Sequence, residues 1–297
     1  MSTEGTSRRF AELDLWPTED AVRAMFESQL AAAAAVQSQV EPLARAAEAA
    51  AERLGHPEGR LVYAGAGTSG RLAILDGTEL EPTFGWSRER LVYAIAGGME
   101  ALSGSVENAE DDEESAGELI RSATLGPNDV VIGVSASGTT PFTVAAVREA
   151  RDQGSLTIAF ASNSGSPLLE AAEHRIWLDT GAEVVAGSTR MKAGTAQKIA
   201  LNLLSTAIML KLGRVHRGLM VDMRISNRKL RTRAIAIVAE ISGADLGRAE
   251  AALDLAKDDI KLAVLVAMGV DLEQARGLLI QSRNNLRSAI AASRGDR

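Results

Sequence analysis

The chain has 297 residues and a formal net charge of −7, with 46% hydrophobic and 24% charged residues. This composition is typical of a globular protein, and the acidic balance disfavours broad non-specific binding to nucleic acid. The absence of cysteine excludes disulfides, thiolate nucleophiles and cysteine metal sites, and three histidines in no ligand-like pattern argue against a catalytic metal.

The first 54 residues are predicted to form an arm and helices that pack on the core. Residues up to 17 lack both a hydrophobic pattern and an apolar signal core, so we expect a mobile or loosely docked arm on a cytoplasmic protein. Residues 18–54 have apolar positions at helical spacing and predict one or two helices, with Gly55 at the end. The apolar helical patterns are interrupted by polar residues too early to predict a membrane span.

Five short apolar segments alternate with helical patterns across the predicted main domain, residues 55–233. The predicted strands are 61–64, 91–96, 130–134, 156–161 and 175–178, and the predicted helices between them are 69–78, 113–123, 141–153 and 166–172. Continuous apolar runs are typical of parallel strands covered on both faces. The pattern therefore predicts a three-layer α/β/α sandwich with a five-stranded parallel sheet, whose ligands bind beyond the carboxyl ends of the strands.

A long helix is predicted over 192–212, ending at Gly213. Its expected core face consists of Ile199, Leu203, Thr206, Ile208 and Leu210. The basic run 224–233 then leads into a predicted small C-terminal helical domain, 234–297. Its expected helices are one ending at 241 and others at 245–255, 258–268 and 271–291.

The first strand leads into the turn Gly-Ala-Gly-Thr-Ser-Gly at 65–70, which opens a helix. Glycines there let backbone N–H groups approach an anion, and the hydroxyls of Thr68 and Ser69 add groups that bind a sugar or phosphate. The acids Asp76 and Glu79 follow, and so does Glu81, so anion-holding and proton-transfer groups lie in one short element. The turn matches neither the dinucleotide fingerprint nor the P-loop. It indicates chemistry on a phosphorylated metabolite.

A second hydroxyl-rich turn follows the third predicted strand. Ser135, Ser137 and Thr140 each offer a hydroxyl hydrogen bond, and Gly138 leaves room for close backbone approach. Pro141 then suits the first turn of a helix. The alternative is a hydroxyl-rich helix cap without a ligand, but the matching turn after the first strand favours a phosphate site.

A third segment, Gly-Ser-Thr-Arg-Met-Lys-Ala-Gly-Thr-Ala-Gln-Lys at 187–198, leads into the long helix. Basic residues at a helix start are unfavourable with respect to the helix dipole, and a nearby anion or partner offsets that cost. Arg190 and Lys192 are therefore either solvated or part of an anion site.

Together, these three motifs resemble the sugar isomerase fold family, whose members bind phosphosugars. More narrowly, GAGTSGRLAILDGTELEPTFG and GSTRMKAGTAQKIALNLLSTAIMLKLG are similar to the N-acetylmuramic acid 6-phosphate etherases and the related glucokinase regulatory proteins. The resemblance covers about residues 10–295, and the single domain fits the etherases better than the regulators, which are about twice as long.

The resemblance implies a lyase that needs no cofactor and no metal. It opens the sugar ring, removes the proton beside the aldehyde, expels D-lactate and adds water, giving N-acetylglucosamine 6-phosphate during cell-wall recycling. The family's catalytic glutamate matches Glu79 and its second acid matches Glu110. Glu79 is expected to donate the proton to lactate with Glu110 assisting, or the two exchange roles.

The resemblance also implies the binding residues and the assembly. The phosphosugar-binding hydroxyls match Thr68, Ser69, Ser135, Ser137 and Thr140, and Lys192 is a weaker candidate for a substrate contact. A homodimer is expected, with sites near the subunit interface. Glu81 departs from the family pattern; its charge either raises the pKa of Glu79 or faces solvent. Two alternatives stay open, a phosphosugar isomerase and a phosphosugar-sensing regulatory protein of the same fold.

Overall fold

The computed structural model describes residues 3–104 and 106–295, which form two compact units. One comprises the chain up to Gly77 together with Glu89–Ile208, and the other comprises Thr78–Arg88 together with the chain from Met209 onward. A short internal segment thus belongs with the C-terminal helices. The three-part division predicted from the sequence, with boundaries after residues 54 and 233, stays a prediction.

The first unit is built on a five-stranded parallel sheet, as predicted. Its strands are β1 (Leu61–Gly65), β2 (Leu91–Ile95), β3 (Val130–Val134), β4 (Leu156–Ala161) and β5 (His174–Trp177). They lie in the order β2-β1-β3-β4-β5, and every neighbouring pair is parallel. Strands β1, β3 and β4 are buried along their whole length, which explains their continuous apolar sequences.

The helices were largely anticipated. In chain order they are α1 (Thr18–Gln37), α2 (Val40–Leu54), α3 (Gly67–Thr78), α4 (Leu80–Phe84), α5 (Glu113–Ala123), α6 (Pro141–Asp152), α7 (Pro167–Ala171), α8 (Lys192–Lys211), α9 (Arg228–Ser242), α10 (Leu246–Leu255), α11 (Ile260–Ala267), α12 (Leu272–Gln281) and α13 (Leu286–Ser293). Within the described ranges, none is both long enough and apolar enough to span a bilayer.

Helices cover both faces of the sheet. On one face Val62 of β1 packs in a cluster with Ala116 of α5 and Ala146 of α6. On the other face the adjacent Tyr63 reaches α3, where its hydroxyl donates to Asp76, and α2 packs against β3, β4 and β5. Alternate residues of one strand therefore face different helical layers, which confirms the three-layer α/β/α sandwich.

The predicted core face of α8 was wrong in part, because Leu203 and Leu210 are about half exposed. The predicted set mixed two sides of the helix. The buried side instead follows Ala200, Leu204 and Ile208 at four-residue spacing, the interval that keeps side chains on one helical face.

The N-terminal arm is docked at its start. Thr3 is buried, and its backbone N–H donates to the Asn163 side-chain oxygen at 3.1 Å. Two short 3-10 turns follow, Arg8–Phe10 and Leu13–Leu15.

The second unit packs α9–α13 around its own hydrophobic core, with a two-stranded hairpin, β6 (Val215–His216) and β7 (Leu219–Met220), that was not predicted. The single helix predicted over 271–291 was wrong, since α12 and α13 are separated by residues 282–285. Arg283 and Asn284 adopt left-handed backbone conformations there, and the Asn285 side chain caps α13 by accepting from the Ser288 N–H. Residues in the left-handed conformation end a helix. The apolar periodicity continues on both sides of them, so it did not reveal the break.

Candidate functional site

The first predicted turn opens α3 directly after β1, and its geometry depends on Gly67. This residue has φ +51°, the left-handed region, and a Cβ there would stand 2.8 Å from Oε1 of Glu110. A side chain would therefore strain the backbone and displace the acid. Glycine at this position lets the Glu110 carboxylate lie against the start of α3.

Glu110 reaches this place from a single 3-10 turn, Ala109–Asp111, that follows a left-handed Asn108. Its residue is exposed, and its carboxylate lies near the N-terminal end of α3, where the helix dipole favours negative charge. The second acid implied by the resemblance and the first hydroxyl turn, far apart in sequence, are thus brought together.

The first turn packs against the start of α8 through Ser69 and Thr68. Ser69 is buried and its hydroxyl donates to Oε1 of Gln197 at 3.0 Å. The methyl carbon of Thr68 lies 3.7 Å from where a Cβ of Gly194 would stand. Gln197 lies in the third motif but had no predicted role, because the sequence alone does not show whether a glutamine in a helix packs or binds a ligand.

The second turn is an interconnected set of hydroxyls centred on the buried Ser135. Its Oγ lies 2.8 Å from the Thr140 hydroxyl and 3.3 Å from the Ser137 hydroxyl, and it accepts the Gly138 N–H at 3.1 Å. Gly138 has φ +72°, and a Cβ there would collide with the Ser166 hydroxyl. The turn therefore requires glycine.

The two turns leave the sheet side by side. Gly65, the last residue of β1, pairs with Val134, the last residue of β3. The residues that follow, the Gly-Thr-Ser turn and the set starting at Ser135, consequently stand at the carboxyl edge of neighbouring strands, where α/β sheets bind ligands. Hydroxyls and helix starts at one edge can hold a phosphate monoester by hydrogen bonds alone.

The third motif is arranged differently from its prediction. Lys192 is buried, and its ammonium donates to the carbonyl oxygens of Thr180, at 2.9 Å, and Ala182; burial lowers the pKa of Lys192. The fully buried Glu183 accepts the backbone N–H groups of Lys192 and Ala193 at 3.0 and 2.9 Å. An internal carboxylate thus occupies the start of α8 and offsets the dipole cost of the lysine.

The substrate contact expected of Lys192 stays a prediction. Its ammonium already binds two main-chain carbonyl oxygens. Arg190, the other basic residue of the motif, is exposed. The role of Glu183 was missed, because an acid this far before the helix does not match the usual capping pattern.

The three acids after the first turn occupy different environments. Asp76 is buried in the first unit, where it accepts hydrogen bonds from Tyr63 (2.7 Å), Asn202 (2.6 Å) and Ser205 (3.1 Å). Burial raises the pKa of Asp76, and the three donors act in the opposite direction. Asp76 ties α3 to β1 and α8.

Glu79 and Glu81 belong to the second unit. Glu79 is exposed and stands just before α4, where its carbonyl accepts the Thr83 N–H at 3.2 Å. The Glu81 carboxylate binds the guanidinium groups of Arg88 and Arg224. The hydrogen bond from Arg88, with the charge of both arginines, lowers the pKa of Glu81. Its charge is therefore paired with two arginines and does not simply face solvent.

Further contacts within the second unit hold the segment that carries Glu79. Arg214 donates to the carbonyl oxygens of Phe84 at 2.7 Å and Gly85 at 3.1 Å, and its guanidinium lies over the Trp86 ring. These contacts fix the end of α4 to the hairpin region. In the part of the chain that is described, no group of three or more His, Asp or Glu is placed to hold a metal ion.

Comparison with known proteins adds family information. Residues 42–150 match the family model described as the glucokinase regulatory protein N-terminal SIS domain, and residues 99–207 match the SIS domain model. The chain is similar to proteins named N-acetylmuramic acid 6-phosphate etherase. The one from Deinococcus radiodurans is 47% identical over 92% of this chain and 90% of its own length. The one from Streptomyces coelicolor is 45% identical over 99% and 95%, and the one from Rubrobacter xylanophilus is 44% identical over 99% and 97%.

Proposed function

Because the chain belongs to the N-acetylmuramic acid 6-phosphate etherase family, we propose that it cleaves the D-lactyl ether of N-acetylmuramic acid 6-phosphate. The products are N-acetylglucosamine 6-phosphate and D-lactate. The observation that carries the proposal is the pair of hydroxyl turns at the ends of β1 and β3, with the Glu110 carboxylate against the first.

The phosphate is assigned to the hydroxyl turns. Thr68 and Ser69 supply hydroxyls at the start of α3, and Ser135, Ser137 and Thr140 supply them before α6. In the second turn the three hydroxyls are joined by two hydrogen bonds, which use two of their three protons. The third proton is free to be donated to a phosphate oxygen. A dianion accepts several such bonds, which anchors the sugar for the chemical steps.

The reaction proceeds from the open-chain sugar. A base takes the proton from C2, beside the C1 aldehyde, and the electron pair of that C–H bond forms the C2–C3 double bond. The C3–O bond breaks, and an acid gives a proton to the departing lactate oxygen. Water then adds across the double bond, its oxygen to C3 and a proton to C2. We assign the acid to Glu79 and the assisting proton transfer to Glu110.

The function is tested by D-lactate release from N-acetylmuramic acid 6-phosphate. Wild type is expected to release lactate, and Glu79→Gln to lose about 10²–10⁴-fold in rate, the usual contribution of a general acid or base. Glu81→Gln is the matched control, because that carboxylate is engaged by two arginines and should retain turnover. A wild-type protein that releases no lactate refutes the function, whereas an active Glu79→Gln variant refutes only the assignment of that residue.

The division of roles is tested by exchange of the C2 proton in heavy water. If Glu79 protonates lactate, Glu79→Gln still exchanges deuterium into C2 of recovered substrate, whereas Glu110→Gln does not. The opposite pattern would exchange the two roles.

We also propose a cytoplasmic homodimer. The described surface of α1 exposes Val22, Phe26 and Leu30 at four-residue spacing, so they form one apolar stripe of the kind found at subunit contacts. Light scattering coupled to gel filtration should give twice the mass of the 31.2 kDa chain, and Phe26→Glu should lower it. A monomeric wild type would contradict the assembly and leave the reaction untouched.

A further inference from the structure

Gln197 carries a buried amide nitrogen that has no hydrogen-bond partner among the described residues. Its residue is 1% exposed, and its Nε2 is enclosed and unpaired, while its Oε1 accepts the Ser69 hydroxyl proton at 3.0 Å. A buried N–H donor without a partner is rare in native proteins and costs free energy. Gln197 therefore accepts a hydrogen bond from Ser69 while its own donor, Nε2, is unused.

The direction of this hydrogen bond conflicts with the role proposed for Ser69. A serine hydroxyl has one proton to donate, and an ionised phosphate only accepts. With its proton given to Gln197, Ser69 offers the phosphate nothing but lone pairs. As the bond stands, Ser69 cannot bind the ligand that its turn is built to hold.

We propose that Gln197 is a positioning residue whose amide turns over when the phosphosugar binds, so that Nε2 donates to the Ser69 oxygen and Ser69 donates its own proton to the phosphate. Rotation by 180° about the last side-chain bond exchanges the amide oxygen and nitrogen in nearly the same volume. The nitrogen then takes the place of the oxygen 3.0 Å from the Ser69 Oγ. The same rotation gives Nε2 a partner and moves Oε1 to the enclosed position that Nε2 had occupied.

The position of Gln197 suits this role. It lies on α8 one turn beyond Gly194, whose backbone packs close to Thr68. Ser69 is itself in the first turn of α3, two residues after Gly67, which lies beside the Glu110 carboxylate. The amide thus acts on the proposed phosphate turn through Ser69 and does not need to touch the sugar. This inference rests on the proposed phosphate site, and its test separates the two.

The test is a double-mutant cycle between Ser69→Ala and Gln197→Glu, read by calorimetric binding of N-acetylglucosamine 6-phosphate and by KM and kcat for lactate release. A glutamate carboxylate only accepts, so it holds the Ser69 proton permanently. We expect Gln197→Glu to weaken binding about 10-fold or more, the usual size of a lost hydrogen bond to a charged group, with KM raised and kcat nearly unchanged. In the Ser69→Ala background the same change should cost no more than about twofold.

Gln197→Met provides the second variant, since it fills a similar volume, cannot donate to Ser69 and accepts only weakly. It should bind the product within about threefold of wild type, because the Ser69 proton is free for the phosphate. Thermal melting of every variant verifies that the fold is retained.

Each outcome decides something. A Gln197→Glu effect of equal size with and without Ser69 would mean simple charge repulsion and overturn the inference. A Gln197→Met variant at least as impaired as Gln197→Glu would mean a purely structural cross-link and also overturn it. If Ser69→Ala alone binds the product as tightly as wild type, the proposed phosphate site itself is wrong.

Discussion

Replacing Ser135 with alanine should separate the ligand-binding and structural roles of the second hydroxyl turn. Its oxygen is the member of the set that contacts both other hydroxyls and also accepts the Gly138 N–H. The substitution removes one hydrogen bond to the phosphate, worth about 1.5–3 kcal/mol for a charged acceptor. Product binding should therefore weaken by roughly 10- to 150-fold, at about 1.4 kcal/mol for each factor of ten.

The same substitution leaves the Gly138 N–H without its acceptor. Gly138 is a buried residue, so this costs about 1–3 kcal/mol of folding free energy, which corresponds to roughly 2–5 °C in melting temperature for a chain of this size. Calorimetric titration with N-acetylglucosamine 6-phosphate measures the first effect, and a thermal melt measures the second.

Thr143→Val is the matched control. Thr143 lies in the first turns of α6, and its hydroxyl is buried with no hydrogen-bond partner among the described residues. Losing that hydroxyl should change neither binding nor stability by more than about 0.5 kcal/mol in the unfavourable direction. If Ser135→Ala bound the product as tightly as this control, the assignment of phosphate to the turn would be refuted.

Two further predictions concern the second unit. Lys261 is 1% exposed and donates to Asp222 at 2.6 Å and to the Asn284 carbonyl at 2.8 Å. Lys261→Met leaves the Asp222 charge buried without this partner and should therefore destabilise the unit by about 3–5 kcal/mol. The double variant Lys261→Met, Asp222→Leu should recover part of that loss, and denaturant unfolding followed by hydrogen exchange in α11 measures both effects. Because arginines lower the pKa of Glu81, the stability it contributes is present above the unfolded pKa of about 4.3 and is lost as pH falls through the lower folded pKa. The stability difference between wild type and Glu81→Gln should therefore vanish in acid titration, and a difference that grew on acidification would contradict the ion pairing.

The sheet was predictable because the strands are buried on both faces. Each of the five apolar runs corresponds to a strand, and the turns after β1 and β3 came out as neighbours because parallel strands end at one edge. The break between α12 and α13 was not predictable from periodicity, because left-handed residues rather than proline or glycine end α12.

The site was predictable to the extent that its groups follow strands. The placement of Thr68, Ser69 and Ser135 needs only the strand–turn–helix pattern. The pairing of Glu81 with two arginines and the capping of α8 by Glu183 depend on residues that meet only after folding. Sequence spacing does not encode such contacts, and the resemblance supplied Glu79 and Glu110 where physical patterning alone could not choose among the acids.

The assignment of Thr78–Arg88 to the C-terminal unit has a consequence for synthesis on the ribosome. Arg214, which holds the Phe84 and Gly85 carbonyls, lies 130 residues beyond Phe84. At about 5–20 residues per second, roughly 7 to 26 seconds pass before that partner is made, and until then the two carbonyls and the Trp86 ring lack their contact with Arg214. The segment bearing Glu79 therefore acquires its structure late, and a nascent chain can complete its sheet well before it becomes a lyase.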